Sequence, residues 1–224
     1  MSYNELAMDD HSAVAELIRE EALGARRISF AAGAVVHEAS APADRVFLIE
    51  SGEIRRLQTS PDGSRRLLDI LGPGDWFGPE AVGRLSVYGS QAAAMTDAVV
   101  WVASADKVLE ALPRHPQASL QIIRQLADRL NVATEEASHL VFDDTRRRLV
   151  KALLKFSRSA AATVTGDGVI LRMTHEQLGQ AVGAARETVS LTLTQLRQAN
   201  LLRTGRNQLA FDPRVLTGML NAEA

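Results

Sequence analysis

Apolar and polar positions change rhythm several times along the chain, and each change marks a different element. From Ala13 to Leu23, Val14, Leu17 and Ile18 recur at helical spacing, with Asp9, Asp10 or Ser12 able to cap the start and Gly24 where a helix stops. One short amphipathic helix is expected there. From Arg27 to Ala103 the period shortens. Val35–Val36, Arg45–Ile49, Glu53–Leu57, Arg66–Ile70 and Val99–Val102 are β-prone runs, separated by Gly33, Gly52, Pro61–Asp62–Gly63, Gly72–Pro73–Gly74 and Gly78. Strands punctuated this closely indicate an all-β barrel or roll. In Ser60–Pro61–Asp62–Gly63, Pro presets one turn dihedral and Gly supplies a positive φ, so a hairpin is expected at this point.

The helical period returns from about Pro116 to Leu140. Ile123, Leu126, Leu130, Ala133, Ala137 and Leu140 alternate spacings of three and four, with charged and amide residues between them. This is a narrow heptad seam, which suits a partner helix, and the two alanines would let backbones approach. An amphipathic helix lying on its own β domain is the other reading. After Phe142 the chain becomes basic and helical, Thr145–Arg146–Arg147–Arg148 leading into Leu149, Val150, Leu153, Leu154 and Phe156. Ser157 to Gly168 is small, polar and loop-like. Two short helical patterns follow, Thr174 to Val182 and Ala185 to Ala199. Two β-prone stretches then bracket Gly205–Arg206–Asn207. Two helices, a glycine turn and a β-hairpin compose a winged helix-turn-helix. The expected fold is therefore α+β in three parts: residues 1–112 a β-roll with an N-terminal helix, 113–141 a coiled-coil helix, 142–224 a winged helix-turn-helix.

Charge sharpens this division. From Phe142 onward there are 12 Lys+Arg against 7 Asp+Glu, leaving 13 against 20 in the rest of the chain. A basic back half faces a polyanion more readily than an acidic front half does. With no cysteine there is neither a disulfide nor a thiolate zinc site nor a cysteine-held iron–sulfur cluster. Haem would need an axial ligand, and His37, His115 and His139 stand alone, as surface or loop histidines do. No metal site is expected. Met1 to Asp10 is acidic and polar, unlike a secretory signal, and no apolar run is long enough to span a bilayer. A cytoplasmic protein without membrane contact is expected. Nothing in the chain has the frame of an enzyme: there is no nucleophile elbow, P-loop or His-Glu-x-x-His.

The richest segment runs from Thr174 to Ser190. Thr174 with Gln177 three positions on fits a reciprocal capping box, and Gly183 makes the turn. The second helix opens with Arg186, Glu187, Thr188 and Ser190, the positions that reach base edges in a helix-turn-helix. Arg can donate two hydrogen bonds to guanine, and Glu can accept one from the cytosine amino group. Thr188, beside the free N–H groups of the helix start, suits a phosphate. An ordinary surface ion pair would explain Arg186 and Glu187 alone but not the whole pattern. For the run Arg146–Arg148, solvated helix charge with hinge packing and phosphate contact stand as equal alternatives.

This segment resembles the DNA-binding signature of the CRP/FNR superfamily, and the resemblance covers almost the whole chain. Phe47–Glu53 resembles the family's early β-roll turn, Gly72–Gly78 its central loop, and Asp144–Arg148 the start of its DNA-binding domain. The resemblance implies a homodimer on a two-fold-related stretch of double-stranded DNA, with Arg186 and Glu187 matching the base-contacting pair and Thr188 a phosphate-contacting position. Thr174 and Arg146 join the DNA-binding candidates. At position 191, where relatives often carry a second base-reading Arg, this chain has Leu. The loop from Ala162 to Gly168 matches the one with which relatives touch RNA polymerase. Relatives that bind cyclic AMP hold it with Gly-Glu-Leu and, about ten residues on, Arg-Ser/Thr-Ala. Here the first reads Gly78–Pro79–Glu80–Ala81 and the second Tyr88–Gly89–Ser90. The phosphate-binding Arg is missing, Arg84 lies four residues early, and Ala133–Thr134 stands in place of the family's Thr-Ser pair. The effector-pocket candidates are Gly78, Glu80, Arg84, Tyr88, Ser90 and Thr134, and standard cyclic AMP binding is not expected. The alternative function is a nucleotide-binding sensory module that acts through protein interaction rather than DNA.

Overall fold

The computed structural model describes residues 12–222 apart from 84 and 143, and for residues 135–142 the backbone alone. The chain divides into two compact units, Met1–Thr59 with Ile70–Glu135, and Ser60–Asp69 with Glu136–Ala224.

The first unit opens with α1 (Ala13–Arg19), capped by Ser12, whose hydroxyl accepts from the Ala15 N–H. A single 3₁₀ turn (Glu21–Leu23) then ends at Gly24. Eight strands follow in chain order, of which β5 falls largely in the 60–69 segment of the second unit: β1 (Arg26–Phe30), β2 (Val35–His37), β3 (Arg45–Ser51), β4 (Ile54–Thr59), β5 (Arg65–Leu71), β6 (Trp76–Phe77), β7 (Gln91–Ala94) and β8 (Ala98–Ser104). They form two antiparallel sheets, ordered β1-β8-β3-β6 and β2-β7-β4-β5. The hairpin expected at Ser60–Gly63 is present, closed by a bond from the Gly63 N–H to the Ser60 carbonyl.

Strand β3 shows why the roll holds together. Side chains alternate across a strand, so Phe47 and Ile49 point one way and Val46 and Leu48 the other, yet all four are buried. Phe47 and Ile49 join Ile54, Phe77, Ala92, Ala94 and Val100 in one core. Val46 and Leu48 join Trp76 beneath Leu17, Ile18, Val108, Ala118 and Ile122. These last residues come from α1, from α3 (Ala105–Ala111) and from the start of α4 (Pro116–Phe142). A strand covered on both faces reads as a continuous apolar run, as Val46–Ile49 does. Trp76 further ties the roll to α4: its indole N–H donates to Gln125 Oε1. The Arg129 guanidinium lies 5.4 Å over the Trp76 ring and donates to the Trp76 carbonyl at 3.1 Å.

In the second unit, Asp144 caps α5 (Thr145–Phe156) by accepting from the Arg147 N–H at 2.8 Å. Then come β9 (Ala162–Thr165), β10 (Gly168–Leu171), α6 (His175–Val182), α7 (Arg186–Gln198), β11 (Arg203–Gly205), β12 (Gln208–Phe211) and α8 (Pro213–Ala222). The strands form one antiparallel sheet in the order β11-β12-β10-β9. Elements that differ from the sequence expectation include β9 and α8. Residues 162–165 form an edge strand rather than loop; three of its four side chains are exposed, so no alternating apolar signal marks it. The C-terminal α8 buries only Leu216 fully, too little periodicity to announce a helix. Among the described residues no helix is long and apolar enough to cross a membrane.

Candidate nucleic-acid interface and effector region

Helix α6 is fixed at its start by a complete capping box. The Gln177 N–H donates to Thr174 Oγ1 at 3.1 Å, and the Thr174 N–H donates to Gln177 Oε1 at 2.7 Å. The sequence placed Thr174 among DNA-contact candidates; in this cap its hydroxyl oxygen is the acceptor. At Gly179 a Cβ would sit 2.6 Å from the Ala184 carbonyl, so only glycine lets the turn fold this closely over α6. Gly183 then reverses the chain in the left-handed conformation (φ 66°). Arg148 Nε, from α5, donates to the Val182 carbonyl at 3.2 Å and places its charge at the helix C-terminus, where a cation is favoured.

Helix α7 begins without a side-chain cap, which leaves the N–H groups of its first turn available to an outside acceptor. Arg186, Glu187 and Thr188 are exposed, and their side chains make no hydrogen bond among the described residues. Ser190 is different. It is half-buried, and its hydroxyl lies 2.7 Å from His175 Nδ1, joining α7 to the first turn of α6. Arg146 is also turned elsewhere: half-buried, it meets Met219 of α8 at 3.7 Å, in the packing of α8 on α5.

Beside α6 lies a cleft that sequence reasoning missed, lined by Arg172, Met173, Thr174, Gln177, Arg206, Asn207 and Gln208. Two guanidinium groups and no carboxylate line it. The only sequence signal was the turn Gly205–Arg206–Asn207, which gives no hint of where its Arg is carried. That depends on β11 and β12 pairing.

In the roll, Gly78 adopts φ 88°, and a Cβ there would lie 2.8 Å from the Arg45 carbonyl. Glu80 is half-buried on α2 (Pro79–Val82). Tyr88 is buried, and its hydroxyl donates to the Arg45 carbonyl at 2.8 Å and accepts from the Arg45 N–H at 3.1 Å. Burial raises its pKa to about 12, so it stays a neutral phenol. Ser90 is buried, and its Oγ has no hydrogen-bond partner among the described residues. Thr134 is exposed on α4, its hydroxyl donating to the Leu130 carbonyl at 2.9 Å. Arg84 lies outside the described residues.

His37 corrects the expectation of a surface or loop histidine. It sits on β2, half-buried, stacked on Tyr88 at 4.0 Å and on Phe47 at 5.3 Å, with Phe77 at 5.9 Å. Burial lowers its pKa and the charge of Arg56 adds to the shift, while the Glu38 carbonyl and the Glu80 and Glu38 charges oppose it. His115 lies 3.4 Å from Glu20; the His139 side chain is outside the described residues. Among the described residues no three His, Asp or Glu groups are placed to share a metal ion.

On α4, Ile123 (62%), Leu126 (39%) and Leu130 (67%) are exposed in the single chain, and Ala133 beside them is exposed too. The side chains of Ala137 and Leu140 lie outside the described residues. Ala118 and Ile122, by contrast, are buried against the chain's own roll. The helix therefore has one face for its own domain near the start and a second, uncovered face further on.

The architecture, a roll followed by a winged helix-turn-helix, defines a DNA-binding regulator with a ligand-domain fold. A family model for the cyclic nucleotide-binding domain matches residues 27–115, and one for the Crp-like helix-turn-helix domain matches 147–217. The CRP-like cAMP-activated global transcriptional regulator of Mycobacterium tuberculosis is 31% identical over 206 residues, 90% of this chain and 89% of that protein. The transcriptional regulator SdrP of Thermus thermophilus is 30% identical over 80% of this chain and 85% of its own. In fold, the c-di-GMP responsive global regulator CLP of Xanthomonas campestris superposes with a TM-score of 0.75 at 22% identity, over 88% of this chain and 99% of that one. The chain belongs to the CRP/FNR family, a family of transcriptional regulators rather than enzymes.

Proposed function

We propose that the protein is a cytoplasmic homodimer that binds a two-fold-related operator, with α7 of each copy in a major groove. The observation that carries this is the start of α7: Arg186, Glu187 and Thr188 exposed together on an uncapped helix end. Arg186 and Glu187 read base edges, and Thr188 with the free N–H groups takes a phosphate. Arg172 and Arg206 in the adjoining cleft supply further phosphate contacts. Ser190 acts indirectly, through its bond to His175. The partner copy covers Ile123, Leu126, Leu130 and Ala133, continuing through Ala137 and Leu140, so the three-part division at 112 and 141 separates sensor, dimer helix and reader. The exposed tip at Gly166–Asp167 is the surface for RNA polymerase.

Cyclic AMP is not the effector. The Mycobacterium tuberculosis relative is cAMP-activated, but here Leu85–Ser90 contains no cation, Pro79 removes a backbone donor, and the Tyr88 hydroxyl is held by Arg45. The roll answers to a different ligand or to none.

Equilibrium binding to a selected operator and to random duplex tests the DNA reading. Both affinities are expected to fall steeply with salt as counterions are released. Arg186→Ala is expected to cost about 1–3 kcal/mol on the operator and little on random DNA. Equal losses on both would make Arg186 a phosphate contact and refute its reading role.

A further inference from the structure

Leu191 is 62% exposed, and it is the only large apolar side chain so exposed on α7. Val189, Thr192, Leu193 and Leu196 form the buried face of this helix. With 3.6 residues per turn, Glu187, Leu191 and Thr194 fall on the opposite face. Leu191 follows Glu187 by one turn, about 6 Å along the helix axis. It is flanked by Arg186, Glu187, Thr188 and Ser190, all of which can hydrogen-bond; Leu191 can neither donate nor accept.

A leucine on that face has one favourable counterpart in the major groove. The base pairs present donors and acceptors there, and the single apolar group among them is the C5-methyl of thymine. Opposite an adenine or cytosine amino group, or a guanine acceptor pair, the leucine would strip water from polar atoms and give nothing back. Attraction to one base and a penalty against the others both favour the same choice. We propose that Leu191 specifies a thymine in each half-site by packing on its C5-methyl, next along the groove from the position read by Glu187. This rests on α7 being the recognition helix.

The test uses the full-length protein and operators selected from random duplex. Replacing the assigned thymine by deoxyuridine removes the methyl and nothing else. Wild type is expected to bind about three- to five-fold more weakly for each methyl lost, the equivalent of one buried methyl-sized group. Leu191→Ala should bind the thymine and deoxyuridine operators nearly equally, closing a double-mutant cycle. Leu191→Arg should move selection at that base pair towards guanine. Because Leu191 is exposed, thermal unfolding of both variants should match wild type. Equal wild-type affinity for thymine and deoxyuridine at every position would overturn the proposal, as would full methyl sensitivity in Leu191→Ala. If Arg186→Ala still lowers discrimination between operator and random DNA in that case, α7 remains the reader and only the role of Leu191 falls. If wild type prefers no sequence at all, both readings fall together.

Discussion

In the β-roll, the hydroxyl of Tyr88 and the indole N–H of Trp76 bond to groups of the fold itself, and the imidazole of His37 stacks among its aromatic rings. On the outer face of α7, the side chains of Arg186, Glu187 and Thr188 bond to nothing among the described residues. The difference separates two kinds of sensitivity. A substitution in the roll disturbs contacts the folded chain already makes, so it registers in stability. Under the proposed function, a substitution on the outer face of α7 disturbs contacts that exist only in a complex, so it registers in affinity while the fold stays intact. The uncovered face of α4 belongs with α7 in this respect, and that grouping can be tested directly.

The largest effect is expected at Leu130. It is 67% exposed in one chain, so Leu130→Asp fits the surface of a monomer without strain. In a dimer the same change buries two facing carboxylates at the seam, which repel each other and lose their water. Sedimentation should show a dimer of wild type at micromolar concentration and a folded monomer of the variant. A monomeric wild type would break the grouping of α4 with α7, and an unfolded variant would move Leu130 to the roll's side of the comparison.

Cyclic AMP probes the roll. Lacking a guanidinium in Leu85–Ser90, the site forgoes a charge-assisted contact of roughly 3–5 kcal/mol, or two to four orders of magnitude in affinity. Calorimetry is expected to show no binding at micromolar ligand. Micromolar affinity, with tighter operator binding in its presence, would overturn the reading of the roll as closed to cyclic AMP, and would point to Glu80 or Arg84.

The smallest effect concerns His37. Burial lowers its pKa from 6.5, so the folded protein keeps it neutral where the unfolded chain already protonates it. Its contribution is therefore present above the ordinary histidine value and is lost as pH falls through that value toward the lower folded one. His37→Phe preserves the stack and removes the titration. The drop in Tm between about pH 7 and about pH 5 should shrink in the variant, with operator affinity at pH 7 unchanged. An unchanged pH profile would mean that burial against Tyr88 and Phe47 does not hold His37 neutral.

Much of this was legible from local pattern. The capping box at Thr174–Gln177, the turn at Gly183 and the hairpin at Ser60–Gly63 follow from short-range chemistry, because each is closed by residues three to five apart. The edge strand β9 was not legible. Its pairing with β10 is a backbone matter, and its exposed side chains carry no periodic signal.

For α7, the sequence by itself determined which groups it carries: Arg186, Glu187 and Thr188 at its start, and a leucine at 191. It also determined that α4 bears a heptad seam, since periodicity is a property of the chain alone. Which of those groups remain available was decided only by tertiary structure. Hydrogen-bond partners come from distant segments: Arg45 holds Tyr88 across 43 residues, His175 holds Ser190 across 15, and Met219 meets Arg146 across 73. The roll's aromatic stack arises in the same way. His37, Phe47, Phe77 and Tyr88 lie on separate segments that meet only when the sheets close over a common core.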